Sequence, residues 1–390
     1  ADGNANAYTN ITLHPGSDLR FQDIGIASGT TNRWDDTTSI PLNGSALTLG
    51  SANAAVTGAE TVGDITFNRG SRIVMATQST AQITLNANAL TRVDKGTLMF
   101  VPSAAGRIGL APGSNSERII VTGSAPGNVA GTNMLPGYYG MQTDSRFVTY
   151  GANGITAVAD GGMVAYAAGL ANTSIVNVQA NTTLLDNPNI FALRIGAFTL
   201  NSVTGANNDS TVTFADIGGE MGGIITNGAA TLHPNLKFGS TGTGEALINT
   251  VGGNLTVNGN ITADGVTKFG ANALVITNDQ SDAARGTGNG YSNSWVVNEG
   301  AIQFNTFGAG GNASLSNTIT LNGNSTSSGA ASQLNLRAQP QTTLLNYAYS
   351  FGKIIAVDNA IIDWDAGADD RVHSIGEIEV QQAGGNGPVD

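Results

Sequence analysis

The chain has 390 residues, 53 of them Gly, with 11% charged and 40% hydrophobic residues and a net charge of −12. Of its 16 basic residues only four are lysines (Lys95, Lys237, Lys268 and Lys353), and they are scattered, which argues against nucleic acid and anionic membrane surfaces as partners. There is no cysteine, which excludes disulfides and thiolate metal sites, and no apolar run reaches the ~18 residues of a membrane helix.

The chain opens with ADGNANAYTN, polar throughout and without a signal peptide, as expected of a processed exported chain or a segment of a longer one. TLHPGSDLRF (12–21) then predicts a turn at Pro15 followed by a strand. ALTLG (46–50), DITFN (64–68), RIVMA (72–76), QITLN (82–86), GTLMFV (96–101) and RIIVTG (118–123) alternate apolar residues with Thr, Asn or Ser and predict strands. A loop-rich stretch follows near 125–170, within which Ala-rich MVAYAAGLAN (163–172) is the best helical window. Strands resume at SIVNVQA (174–180), STVTFA (210–215), NLTVNG (254–259) and ALVITN (273–278). A second loop lies near 278–295, and AIQFNT (301–306) is the next strand.

Turn residues separate these strands at intervals of roughly 8–12, a spacing that suits a sandwich, a propeller or a solenoid. Recurrence selects among them. VGDITF (62–67), IGAFTL (195–200), FGKIIA (351–356) and IGEIEV (375–380) share one pattern, and Gly352 and Gly376 stand 24 residues apart, about one turn of a β-helix. SIPLNG (39–44) returns as TITLNG (318–323), and TLHP (12–15) returns at 231–234. Constant strands with variable loops mean stacked units that share a continuous core. The expectation is an all-β, elongated parallel β-solenoid, continuous over 1–390. Ile65, Phe67, Phe198, Leu200, Ile354, Ile378 and Val380 should face inward, each worth roughly 1.5–3 kcal/mol when buried. Gly63, Gly196, Gly352 and Gly376 should occupy equivalent corners that require positive φ.

ETVGDITFNRGSRIVMATQSTAQITLNANALTRVDKGTLMFVPSAAG (60–106), the phrases Met134-Leu135-Pro136-Gly137, Tyr138 and Tyr150–Ile155, and GGNLTVNGNITADGVTKFGANALVITN (252–278) resemble autotransporter-associated β-strand repeat proteins. In that family's repeat unit Gly, Thr and Leu usually stand where this chain has Phe269, Asn272 and Val275. The resemblance implies a right-handed parallel β-helix, export to the bacterial cell surface and no enzymatic activity. Nothing in the chain resembles the C-terminal membrane barrel of a true autotransporter.

Residues that could carry chemistry are few. His14 and His233 sit in the repeated TLHP turns, and His373 stands alone; no G-x-S-x-G phrase supplies a nucleophile. DWDAGADD (363–370) groups Asp363, Asp365, Asp369 and Asp370, oxygens of the kind calcium takes, although Gly367 occupies the fifth position where an EF-hand loop needs an acid. The other reading is a solvated acidic turn. Asp186, Arg194 and Asp216 match by residue type the catalytic sets of β-helix lyases and hydrolases. Trp34, Trp295 and Trp364 are too sparse to define a carbohydrate-binding stripe, and Asn43, Asn181, Asn208 and Asn254 begin sequons in an Asn-, Ser- and Thr-rich chain. The expected function is therefore structural: a non-enzymatic extracellular or cell-surface protein without a cofactor, assembling head-to-tail through uncapped solenoid ends. The alternatives are an adhesin that contacts a glycan or host protein through its loops, and a β-helix carbohydrate-active enzyme.

Overall fold

The computed structural model describes residues 11, 13–22, 34–51, 56–78, 80–113, 115–204, 209–278, 280, 294–306, 317–323, 330–337, 350–364 and 374–381. It is all-β with parallel sheets, and it divides into two compact units, 1–159 and 160–390.

In the first unit a five-stranded parallel sheet runs Asp18–Phe21, Ala46–Ser51, Gly70–Thr77, Thr97–Val101 and Tyr139–Met141. Between its strands the chain visits two further ladders. One pairs Ile40–Asn43, Ile65–Asn68 and the end of Gln82–Arg92; the other pairs Thr57–Val62, the start of Gln82–Arg92 and Glu117–Ser124. Ile40, Ile65 and Leu90 stack in register, 25 residues apart each time, and all are buried. The stretch near 125–170 is richer in structure than a loop. Besides Tyr139–Met141 it holds the antiparallel hairpin Val148–Gly151/Gly154–Ala157. No helix forms over 163–172. Val164 instead bridges to Val176 in parallel, and Tyr166 is tied to Asp186, so local pairing overrides the Ala-rich composition.

In the second unit the order of strands is regular. A nine-stranded parallel sheet runs Ile175–Val178, Ala192–Ile195, Gly223–Thr226, Glu245–Asn249, Gly265–Phe269, Ser294–Val297, Thr318–Leu321, Ser350–Val357 and Ser374–Gln381. After each of the first eight the chain enters an eight-stranded parallel sheet, from Thr182–Thr183 to Ile361–Trp364. Through the first four circuits it then crosses a four-stranded sheet, Asn189–Ile190, Thr211–Phe214, Asn235–Phe238 and Ile261–Thr262. Strands such as Thr318–Leu321 and Gln333–Leu336 bury alternate residues, as period-2 patterning requires. One ladder stacks Val266, Trp295, Ile319, Ile354 and Ile378. Trp295 packs edge-on against Phe304 at 5.1 Å.

Asparagine joins the circuits. Its side-chain oxygen accepts a backbone N–H from the next circuit at Asn181 (from Thr199), Asn187 (from Thr211), Asn235 (from Asn260) and Asn254 (from Ala273). An amide oxygen at a corner thus pairs a donor the sheets leave over. The third sheet is closed off differently. Gln280 is fully buried; its amide accepts from Ile261 N–H at 2.7 Å and donates to the Gly259 carbonyl at 3.0 Å, making the bonds another strand would make.

The repeated glycines are not equivalent. Gly63 and Gly196 lie between strands, whereas Gly352 and Gly376 lie inside Ser350–Val357 and Ser374–Gln381. None of the four is among the positive-φ residues. Close approach explains Gly63 and Gly376: a Cβ on either would come nearer than 3.0 Å to a backbone carbonyl, of Thr37 and of Gly352 respectively. Positive φ belongs to another repeated phrase, at Gly44 (67°) and Gly323 (39°) of the two Leu-Asn-Gly turns. Ile65, Phe67, Leu200 and Ile354 are buried and Phe198 is half-buried, but Ile378 and Val380 are 51% and 55% exposed. They sit on the last described strand, which packs against Ser350–Val357 on one edge and pairs with no described strand on the other.

Candidate functional site

The residues with enzyme-like chemistry have local structural partners. Asp186 accepts from the Tyr166 hydroxyl at 2.7 Å and from Gly169 N–H at 2.8 Å; burial, then the hydrogen bond to Asp186, pushes the Tyr166 phenol up. Arg194 is buried and donates to Asn177 Oδ1 at 3.1 Å. Asp216 caps a hairpin turn through Gly219 N–H at 2.7 Å. Asp363 is paired with Arg337 at 2.5 Å, while Asp365, Asp369 and Asp370 lie outside the described residues, as does His373. Among the described residues no group of three or more His, Asp or Glu side chains converges.

The TLHP histidines are corner residues. The His14 carbonyl accepts from Ser17 N–H across a turn, and His233-Pro234 links Ala230–Leu232 to Asn235–Phe238 with the ring 3.2 Å from Asn258 Nδ2. The tryptophans do not share a face: Trp295 is in the core, Trp34 packs on Phe21, and Trp364 is 38% exposed. Of the sequons, Asn43 lies in a strand, Asn181 and Asn254 hold backbone donors, and Asn208 is outside the described residues.

Two surfaces remain. In the first unit an open cleft of about 280 Å³ is lined by Asp36, Thr37, Ser39, Thr61, Val62, Gly63, Asp64, Asn88 and Thr122, and Asn88 Nδ2 donates to Asp64 Oδ1 at 2.6 Å. Its lining combines hydroxyls, an amide and two carboxylates with Val62 and Gly63, without an aromatic ring. In the second unit the last described strands of the two long sheets expose residues at core positions. Trp364 stacks on buried Leu336, Ile378 on buried Ile354, and Val380 on buried Ala356. The edge beside them carries Lys353 with Glu377 at 3.4 Å and with Glu379.

Two buried charged clusters were not foreseen from the sequence. Glu117 has no solvent exposure; it accepts from the Thr77 and Ser103 hydroxyls and from Ser103 N–H. Arg107 lies 3.6 Å away and donates to the Gln78, Ala81 and Asn115 carbonyls. Lys268 is wholly buried beside Glu299. Both clusters are satisfied from within, which marks Glu117–Arg107 as structural.

No family model matches the chain, and neither a curated protein nor a solved structure matches it.

Proposed function

We propose that the chain is a structural protein of an extracellular or cell-surface layer: a right-handed parallel β-solenoid, without enzymatic activity, that extends by head-to-tail contact between copies. The observation that carries this reading lies at the last described strands of the two long sheets, where Trp364, Ile378 and Val380 continue buried ladders yet stand 38–55% exposed. A surface that continues an in-register parallel stack is complementary to another circuit of the same grammar, and a second copy supplies one. Such a contact is heterologous and propagates unless rotation closes it. The net charge of −12 opposes it, but screening confines that repulsion to about 8 Å at physiological salt. The resemblance to autotransporter-associated repeats and the absence of cysteine, which suits passage through an oxidising envelope, support the surface location.

Sedimentation velocity of the 390-residue chain at micromolar concentration should reveal species that grow with concentration. Ile378→Asp combined with Val380→Asp should return the chain to monomer. A monomer at every concentration overturns the reading.

A second reading, adhesion to a glycan, is favoured by the cleft of the first unit. Its hydroxyl, amide and carboxylate groups suit the hydroxyls of a neutral sugar. Retention on a glycan array that is lost in Asn88→Ala supports this reading, and no retention excludes it.

A further inference from the structure

Lys268 breaks a pattern that every other rung obeys. In the nine-stranded sheet its position stacks Val176, Leu193, Ile224, Ile248, Lys268, Val297, Leu321, Ala356 and Val380. Eight are apolar and one is a lysine with no exposure. The side chain is not wasted space-filling: Nζ donates to the main-chain carbonyls of Gly270, at 2.5 Å, and of Glu299. These carbonyls belong to the corners of two successive circuits. Gly300, at φ 68°, lets the second corner close over the amine, since a Cβ there would collide with Nζ.

The groups facing Lys268 leave little to balance a charge. Its strand pairs with Glu245–Asn249 and Ser294–Val297, and Ser294–Val297 contains no titratable side chain. On Glu245–Asn249 the Glu245 carboxylate is engaged by Thr267, the neighbour of Lys268 that points to the opposite face. Among the described residues, Glu299 is the charged group that acts on the amine. A neutral amine has two N–H groups, enough for both carbonyls; an ammonium brings a third donor and a charge into an apolar ladder.

We propose that Lys268 is a proton-sensitive joint in the core, clasping the two corners as a neutral amine and loosening the contact between Gly265–Phe269 and Ser294–Val297 when it takes up a proton. Burial pushes the Lys268 ammonium from 10.5 down to about 7, and the Glu299 carboxylate opposes part of that fall. Between about 7 and 10.5 the unfolded chain holds the proton that the folded chain has released, so stability rises with pH across that window. Each pH unit there changes the unfolding equilibrium by up to about tenfold. Below about 7 both states carry the proton and the gain is absent.

The test is a titration of the full chain labelled with ¹³C-lysine. Four Cε signals are expected, and the one removed by Lys268→Met should titrate near pH 7. Should that variant not fold, Lys95→Arg, Lys237→Arg and Lys353→Arg assign the signal by elimination. Four lysines all titrating above pH 9 overturn the proposal. The second arm reads the joint itself. Asn298 N–H donates to the Lys268 carbonyl across that contact. Its exchange protection, corrected for intrinsic rate, should fall several-fold from pH 8 to pH 6. Protection unchanged over that range, with Lys268 titrating near 7, overturns the coupling to strand pairing.

Discussion

Gly376 lies over Gly352 one circuit below it, so closely that a Cβ on Gly376 would fall within 3.0 Å of the Gly352 carbonyl oxygen. Their neighbours confirm the stacking: Phe351 pairs with Ile375 and Lys353 with Glu377. The obstacle is main chain, which cannot rotate away. Gly376→Val should therefore cost about 1–3 kcal/mol in denaturant unfolding. Gly127→Ala, at a position open on all sides, should stay within about 0.5 kcal/mol of the parent. Equal midpoints for the two variants would contradict the close-packing account.

Gln280 makes a second, sharper case. Its truncation to Ala strips a partner from the Ile261 N–H and from the Gly259 carbonyl, both at the edge of the four-stranded sheet. A buried group left unpaired costs about 1–3 kcal/mol. Gln280→Glu, which keeps the acceptor but not the donor, should also destabilise. Equilibrium unfolding of both variants checks this, and wild-type stability in Gln280→Ala would mean that the amide does not stand in for a strand.

The two ion pairs should differ by their burial. Glu117→Ala leaves Arg107 enclosed without its counter-charge and should cost about 3–5 kcal/mol. Arg337→Ala breaks a pair with Asp363 that is about a third exposed on each side and should cost about 0–1 kcal/mol. Thermal denaturation of each variant gives the comparison, and a reversal of the order would refute it.

Acid should act on the last described strand. The hydrogen bond from Lys353, and then that from Gln381, holds the Glu379 carboxyl below its ordinary 4.5. The folded state binds that proton less readily than the unfolded one. The contribution is therefore present above 4.5 and is lost as pH falls through the lowered value. Corrected amide protection along Ser374–Gln381 should drop below pH 4.5 and in 1 M salt, and should do neither in Lys353→Met.

Much of the strand framework was legible, and for a definite reason. Alternation and turn punctuation located Ile65–Asn68, Ala301–Phe304 and their neighbours because both are local signals, and the 24-residue recurrence matched the pairing of Phe351 with Ile375. The glycine roles were not legible. A Gly avoiding a carbonyl and a Gly adopting positive φ read alike, so Gly376 and Gly323 could be told apart only once their neighbours were known. Exposure at Ile378 and Val380 depends on what lies beside the strand, and the strand's own pattern does not encode it. Among the candidate residues, Asp186, Arg194 and Asp216 matched only by type, and type does not bring side chains together. Lys268 carried a signal that period-2 reading could have caught: in Gly265–Phe269 it falls on the same face as Val266.

The second unit's ladders have a practical consequence for anyone handling this protein. Nine parallel strands stacked in register space their backbones by about 4.8 Å, the same repeat that marks cross-β fibrils. Native material, aligned and dried, will diffract at that spacing, and flat-sheet dyes that read amyloid will find comparable grooves between side-chain rows. For this chain the reflection is therefore no evidence of misfolding, because the native ladders already supply it.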